Sequence, residues 1–386
     1  MHLITLTESL ARGPYQLHPG SYLADNVNAG ELMARHPSTI SAQQAPNPSP
    51  ISDFQLTPGK PQRILTVRAG GFGDLLFLTP VFRHLKSLNP ALYISVSCFP
   101  DFAVVFQNNP DVDEIVPYPI PLASIETFDA IVPLENTVEF EHEEHAVDCY
   151  LREFGLDPTI IPSSEKSCLY HMTDKERNGA TSNFPAHLTD KGAVIPRLGV
   201  QAVASAMCRT YPHDQLEAVC KMLHARGWEI FFFGEPRTLN IAEAERITNL
   251  TLRALTFRQS AAVLATCDVV LAPDSALAHL AGALDVPCVA LYGPFPWKLR
   301  TAYHPKTIAV PPDQGALRHA YAENCSPCFH HVHGRGHFPQ HGPCAKTGRC
   351  EVLAAIKPDR VASKISAMYK AAVHIAEHRH DGKIDA

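Results

Sequence analysis

From residue 63 onward the chain alternates short runs of β-branched and aromatic residues with longer stretches whose apolar positions recur every three or four residues. Arg63–Arg68 (RILTVR) predicts a strand, Gly70-Gly71-Phe72-Gly73 a tight turn, and Asp74–Leu88 a helix with Leu75, Leu78, Phe82 and Leu85 on one face. Strands are expected again at Leu92–Ser97, Glu114–Pro117 and Ala130–Leu134, with helices near Asp101–Gln107 and His142–Phe154. A polar stretch, Thr173–Gly192, then separates a second series. Its strands are Leu198–Ala202, Glu229–Phe233, Val269–Ala272 and Cys288–Tyr292, and its helices Asp214–Arg226, Leu239–Ile247, Gln259–Thr266 and Ala276–Leu284. Strand–helix alternation implies an α/β fold of parallel sheets covered on both faces. Two such series predict two doubly wound domains facing one cleft.

The boundaries follow from composition. Residues 1–45, with an apolar alternation at Leu3 and Leu6 and a helical Ala29–Arg35, form either a small accessory module or a loosely packed arm. Residues 46–62 carry five prolines and a glycine and read as a linker. The two doubly wound domains are expected at 63–185 and 190–356, the second with a Cys/His-rich loop at 325–350, followed by a C-terminal helix over 357–380.

A length of 386 residues suits two domains, and 45% apolar with 19% charged residues excludes a disordered or collagen-like chain. The net charge of −6 gives no bulk attraction to duplex nucleic acid or an anionic membrane. No apolar run reaches the ~20 residues of a membrane span, so membrane contact is at most peripheral. The start Met1-His2-Leu3-Ile4 lacks the basic and apolar regions of a secretory signal, and eleven cysteines, an odd number mostly scattered singly, fit a reducing cytoplasm.

Two strand-to-helix joins carry candidate chemistry. At the first, Gly70, Gly71 and Gly73 permit positive φ and close backbone approach to an anion, and Asp74 stands in the first helical turn. Taken locally, Asp74 is either a capping aspartate, favourable by ~1 kcal/mol, or a chemical group. The turn lacks the G-x-G-x-x-G fingerprint, which disfavours a dinucleotide-dependent oxidoreductase. At the second join, Asp274-Ser275-Ala276-Leu277-Ala278-His279, a phosphate could meet Ser275 and the helix N–H groups; the alternative is a capped helix with a core histidine. A Ser–His hydrolase is disfavoured, because no G-x-S-x-G elbow is present.

Together, R-x-G-G-F-G-D-L-L-F-L-T-P at Arg68–Pro80, N-P-D-V-D-E-I-V-P-Y at Asn109–Tyr118 and D-S-A-L-A-H-L-A-G-A-L-D-V-P-C-V-A-L-Y-G-P at Asp274–Pro294 resemble glycosyltransferase family 9, the ADP-heptose:lipopolysaccharide heptosyltransferases. The resemblance runs from about residue 62 to 370 and leaves residues 1–60 outside. It implies a GT-B type fold, with an N-terminal acceptor domain and a C-terminal donor domain, and sugar transfer with inversion and without a catalytic metal. It further implies that Asp74 is the general base, that Ser275, Ala276 and His279 form the phosphate-binding loop, and that Asp274 contacts the sugar. Arg209, in R-T-Y-P, matches the family's K-x-W-P lysine that reaches the diphosphate, and Glu235 resembles its ribose-contacting acid. The chain departs from the family at Ala202-Val203-Ala204-Ser205-Ala206, where Ser205 is the one hydroxyl of a loop usually rich in them.

Asp111-Val112-Asp113 has the form of a metal-binding D-x-D but reads as a solvated turn, and Arg68, Arg83 and Lys86 are either anion contacts or solvated cations. Cys325, Cys328, Cys344 and Cys350 are spaced either for a structural zinc or for packed or disulfide-bonded thiols. The leading expectation is a cytoplasmic transferase moving heptose from ADP-heptose to a lipopolysaccharide core or related glycan or glycolipid. The alternatives are a phage or mobile-element enzyme with another nucleotide-sugar and acceptor, since Tyr15–Gly20 and Ala29–Leu32 resemble small modules of bacteriophage proteins, and a non-catalytic nucleotide-sugar or glycan-binding protein.

Overall fold

Gln62–Val67, buried from Ile64 onward, forms a strand at the interior of a four-stranded parallel sheet, in the order Ala130–Pro133, Gln62–Val67, Leu92–Cys98, Glu114–Pro117. Continuous burial of the first strand is what a parallel sheet covered on both faces requires. The computed structural model describes residues 1–386 other than 13–14, 45–53, 136, 139–140, 142, 235–243, 314–347 and 381–386. It divides into two units, Met1–Glu141 with Ala146–Lys166, and His142–His145 with Ser167–Ala386.

In the first unit, helix Leu78–Leu88 packs against the sheet and helix Ala146–Glu153 packs against that helix. The expected single helix from Asp74 is instead two, Phe72–Leu76 and Leu78–Leu88. The cause is Pro80, which has no N–H for the Leu76 carbonyl; the Thr79 hydroxyl donates to that oxygen at 2.7 Å instead. On the sheet's other side lies the N-terminal segment, a module and not a loose arm. Its strands Ile40–Gln44, His2–Leu6 and Gly20–Ala24 make an antiparallel sheet that Ile120–Pro121 completes. Ile4 and Leu6, with Leu23, Ala29, Leu32 and Ile40, bury against Leu65, Val67, Val116 and Ile131. Period-two geometry puts Ile4 and Leu6 on the inner face, so the alternation runs through Ile4 and Leu6 and not through Leu3 and Leu6. Asp25 begins the helix Asn26–Arg35, accepting from Asn28 N–H at 2.9 Å, and also takes the buried Tyr118 hydroxyl at 2.5 Å.

The second unit holds a six-stranded parallel sheet in the order Ile247–Asn249, Glu229–Phe233, Arg197–Gln201, Val269–Pro273, Cys288–Leu291, Thr307–Ala309. Counted along the chain this is 3-2-1-4-5-6, the doubly wound Rossmann order. The expected helix 239–247 falls mostly outside the described residues, and its last position, Ile247, opens a strand. The polar stretch after Thr173 contains a helix, Asp174–Asn183, started by a Thr173/Glu176 capping box. Glu176 also binds the Arg258 guanidinium through bonds of 2.5 and 2.7 Å, which hold its carboxyl down at about 2. The C-terminal helix Pro358–His380 packs on His213–Ala225, and the buried Tyr211 hydroxyl donates to Ile356 O at 2.6 Å. No helix among the described residues is long and apolar enough to cross a membrane.

Candidate functional site

Both sheets reverse their strand order once, and ligands of open α/β sheets gather at the carboxyl ends of the two strands flanking such a reversal. In the first unit these strands are Gln62–Val67 and Ala130–Pro133. Arg68 follows the first and Glu135 closely follows the second. The Arg68 side chain, 7% exposed, donates through Nη2 to Asp74 Oδ2 at 2.7 Å. Through Nη1 it reaches Leu134 O at 3.2 Å and Glu135 Oε2 at 3.4 Å. Glu135 Oε1 accepts from Ala69 N–H at 2.7 Å.

Gly70 and Gly71 are needed for space. Gly71 has φ 89°, and a Cβ there would lie 2.4 Å from Asp74 Oδ2; a Cβ on Gly70 would meet the Phe102 ring at 2.8 Å. Gly73 is the glycine of the turn that lies inside the helix Phe72–Leu76. Asp74 is a third exposed, and its Oδ1 accepts from nothing among the described residues. This is a carboxylate with one oxygen tethered and one left to take a proton. Arg68 is therefore a paired, buried cation and not a solvated one. Arg83 donates to Glu165 O, and Lys86 to Leu92 O and Asp113 at 2.6 and 2.7 Å, so both serve local structure. Asp113 also accepts from Ile94 N–H at 2.7 Å, which ties the D-x-D segment into its turn.

In the second unit the reversal lies between Arg197–Gln201 and Val269–Pro273. Gln201 and Ser275 meet across it, the Ser275 hydroxyl donating to Gln201 Oε1 at 2.8 Å. Ser275 precedes the helix Ala276–Ala283 without capping it through its side chain. Asp274, 4% exposed, contacts Arg209 Nη1 at 3.5 Å. Arg209 also donates to the Ser205 hydroxyl, lies 6.0 Å from the Phe295 ring centroid, and keeps a buried Nε with no partner among the described residues. The structure thus brings Ser205, Arg209, Asp274, Ser275 and Ala276 to one end of this sheet.

His279 is buried on the same helix beside His304, ring centroids 5.8 Å apart, with the His304 ring against Gly282. Burial, aided by His279, pushes His304 down to about 3, and burial with His304 and Arg300 lowers His145 well below the usual imidazole range. Burial and the Asp274 carboxylate raise the Tyr292 phenol. Glu235, Cys325, Cys328 and Cys344 lie outside the described residues; Cys350 is buried at the start of helix Glu351–Ala354. Among the described residues no group of three or more His, Cys, Asp or Glu side chains is placed to hold a metal ion.

Sequence reasoning missed Glu135, Gln201 and Phe295. The available signal was position: each comes at the end of, or soon after, a strand of its sheet, Glu135 two residues beyond Ala130–Pro133 and Gln201 as the last residue of Arg197–Gln201.

The family model of glycosyltransferase family 9 (heptosyltransferase) matches residues 131–333. A curated relative, lipopolysaccharide heptosyltransferase 2 of Salmonella typhimurium, is 23% identical over 60% of this chain and 83% of its own. The solved structure of the glycosyl transferase family 9 protein from Veillonella parvula is similar with a TM-score of 0.60 at 16% identity, covering 80% of this chain and 97% of that one. The dodecameric iron-containing heptosyltransferase TibC of enterotoxigenic E. coli, solved with ADP-D-β-D-heptose, gives a TM-score of 0.54 at 12% identity over 96% of this chain and 91% of its own. At these identities the structural likeness shows the fold, a GT-B type pair of Rossmann-like units.

Proposed function

Because this chain belongs to glycosyltransferase family 9 and is a glycosyltransferase, we propose that it transfers heptose from ADP-heptose to a lipopolysaccharide core or related glycan, by single displacement with inversion and without a catalytic metal. The observation that carries the reading is the pair of strand-order reversals, one bearing a tethered carboxylate and the other a part-exposed arginine. The substrates named for the relatives, lipopolysaccharide and ADP-heptose, supply the donor and acceptor classes.

In this mechanism the acceptor hydroxyl attacks the anomeric carbon while Asp74 Oδ1 takes its proton, a contribution of roughly 10²–10⁴-fold. The bond from that carbon to the diphosphate oxygen breaks, and negative charge gathers on departing ADP. Arg209 meets that charge, releasing Asp274 and Ser205, and the N–H groups at Ala276 add the positive end of the helix Ala276–Ala283. Asp274 then faces the sugar hydroxyls, His279 and Ser275 line the phosphate loop, and Glu235 contacts the ribose. The acceptor belongs to the first unit, beside Asp74, and the reaction to the cytoplasm, with at most peripheral membrane contact.

The spacing of Cys325, Cys328, Cys344 and Cys350 suits either a structural zinc or packed or disulfide-bonded thiols; elemental analysis of the purified chain separates them, a metal-free result leaving the thiols and iron, the metal named for TibC, being the rival metal. The donor is tested by thermal shift with ADP, UDP, GDP, dTDP, CMP and ADP-heptose. A ligand at a hundred times its Kd stabilises by ~2.7 kcal/mol, a shift of a few degrees. A selective response to ADP and ADP-heptose is expected; a selective response to another nucleotide would retain the transferase and discard heptose.

A further inference from the structure

The tethering of Asp74 has a depth that its own role as a base does not explain. Its carboxylate is held by a single bond, from Arg68 Nη2 to Oδ2 at 2.7 Å, and Gly71 supplies no side chain to hold it. Arg68 is in turn aimed by Leu134 O and Glu135 Oε2, and Glu135 by the Ala69 N–H at 2.7 Å. Glu135 comes from the far side of the strand-order reversal, so the relay ties the ends of two strands to one carboxylate. Both relay side chains are nearly enclosed, Arg68 at 7% and Glu135 at 14% exposure, against 33% for Asp74. A guanidinium placed out of water needs good geometry and full pairing to offset its desolvation. Here the pairing is spent on one rotamer of Asp74, the rotamer that fits the space left by Gly71.

We propose that Arg68 and Glu135 are positioning residues for the transfer step, Glu135 fixing the Arg68 fork and the fork holding Asp74 Oδ2 so that Oδ1 faces the acceptor proton. This rests on the reading of Asp74 as the base. The planar fork is what the arrangement requires, because one Arg68 Nη serves Asp74 while the other serves Glu135 and Leu134 O. A lysine has the charge but cannot span both carboxylates in fixed directions.

The test compares Arg68→Lys, Glu135→Gln and Asp74→Asn by ADP release from ADP-heptose with a heptose-deficient lipopolysaccharide core as acceptor. ADP thermal shift checks that each variant is folded. The expected result is a kcat loss of about 100-fold for Arg68→Lys and about 10-fold for Glu135→Gln, with donor KM within twofold. Unchanged kcat in both, with Asp74→Asn inactive, would overturn the positioning role and leave the base assignment standing. Normal turnover by Asp74→Asn would overturn the base assignment and the proposal with it. A crystal structure of Glu135→Gln reads the relay without turnover. Release of Asp74 Oδ2 from Arg68 supports it, and an unchanged 2.7 Å pair overturns it.

Discussion

Each unit sets an arginine where its strand order reverses, and the two are held in opposite ways. Arg68 is closed in: two carboxylates and a backbone carbonyl hold its fork at 2.7–3.4 Å. Arg209 is more open, 23% exposed against 7%, with one carboxylate, Asp274, at 3.5 Å and the neutral Ser205 hydroxyl as its other partner. A closed cation arranges a neighbour; a more open one can exchange partners for an incoming anion. The same topology thus yields a preorganised chemical group in one unit and a receptive binding group in the other. The comparison is sharpest in Asp74→Asn, which should lower turnover by about 10²–10⁴-fold while ADP affinity, measured by calorimetry, stays within twofold. A matching loss of ADP affinity would mean that the two reversals do not divide the labour.

The reciprocal change is Arg209→Ala. A hydrogen bond to a charged group contributes about 1.5–3 kcal/mol, so ADP affinity should fall about 10- to 100-fold, again by calorimetry. Arg209→Lys should recover part of it, because charge survives while the fork is lost. An affinity unchanged in Arg209→Ala would remove the arginine from the donor site.

The units should also differ toward acid. His304 is enclosed as a neutral imidazole at about 3, below its ordinary 6.5, so the unfolded chain binds the proton more readily. The stability this contributes is complete above pH 6.5 and is lost as pH falls from there toward 3. At pH 5 the loss is about 2 kcal/mol from His304, with His145 adding in the same direction. His84 of the first unit is lowered too, but it is partly open to solvent and has Glu165 nearby, so acid acts chiefly on the second unit. Urea unfolding followed between pH 7 and 5 should show this slope, and His304→Leu should flatten it; an equal slope in that variant would assign the acid sensitivity elsewhere.

How much of this was readable in the sequence depended on whether the signal was local. Strands such as Glu229–Phe233 and Val269–Pro273, and the glycine turn before Asp74, announce themselves by short-range pattern. Ile247–Asn249 did not, because three residues are too few to show a period and the strand exists through pairing with Glu229–Phe233. The N-terminal module could not be separated from a loose arm, since its burial depends on Leu65, Val67 and Ile131, far along the chain. Glu135 was invisible for the same reason: its meaning lies in Arg68, 67 residues earlier. Asp74 and Asp274, like Arg68 and Arg209, stand inside motifs that the sequence displays, while the pairing of each arginine with its carboxylate is visible only in the geometry.

The smallest expected effect bears on how receptive the second reversal is. The Ser275 hydroxyl donates to Gln201 Oε1 and caps nothing, so in the absence of nucleotide it joins two strand ends. If its role stays there, Ser275→Ala removes one neutral hydrogen bond, worth about 1 kcal/mol, and ADP affinity falls about fivefold or less. If the hydroxyl turns to the diphosphate, the bond becomes charge-assisted and the loss should approach that of Arg209→Ala. Titration of ADP into Ser275→Ala, alone and combined with Gln201→Ala, separates the two. A small loss that vanishes when Gln201 is already absent identifies a brace between strands. A large loss in both backgrounds identifies a phosphate ligand, and makes the second reversal as dependent on prepared side chains as the first.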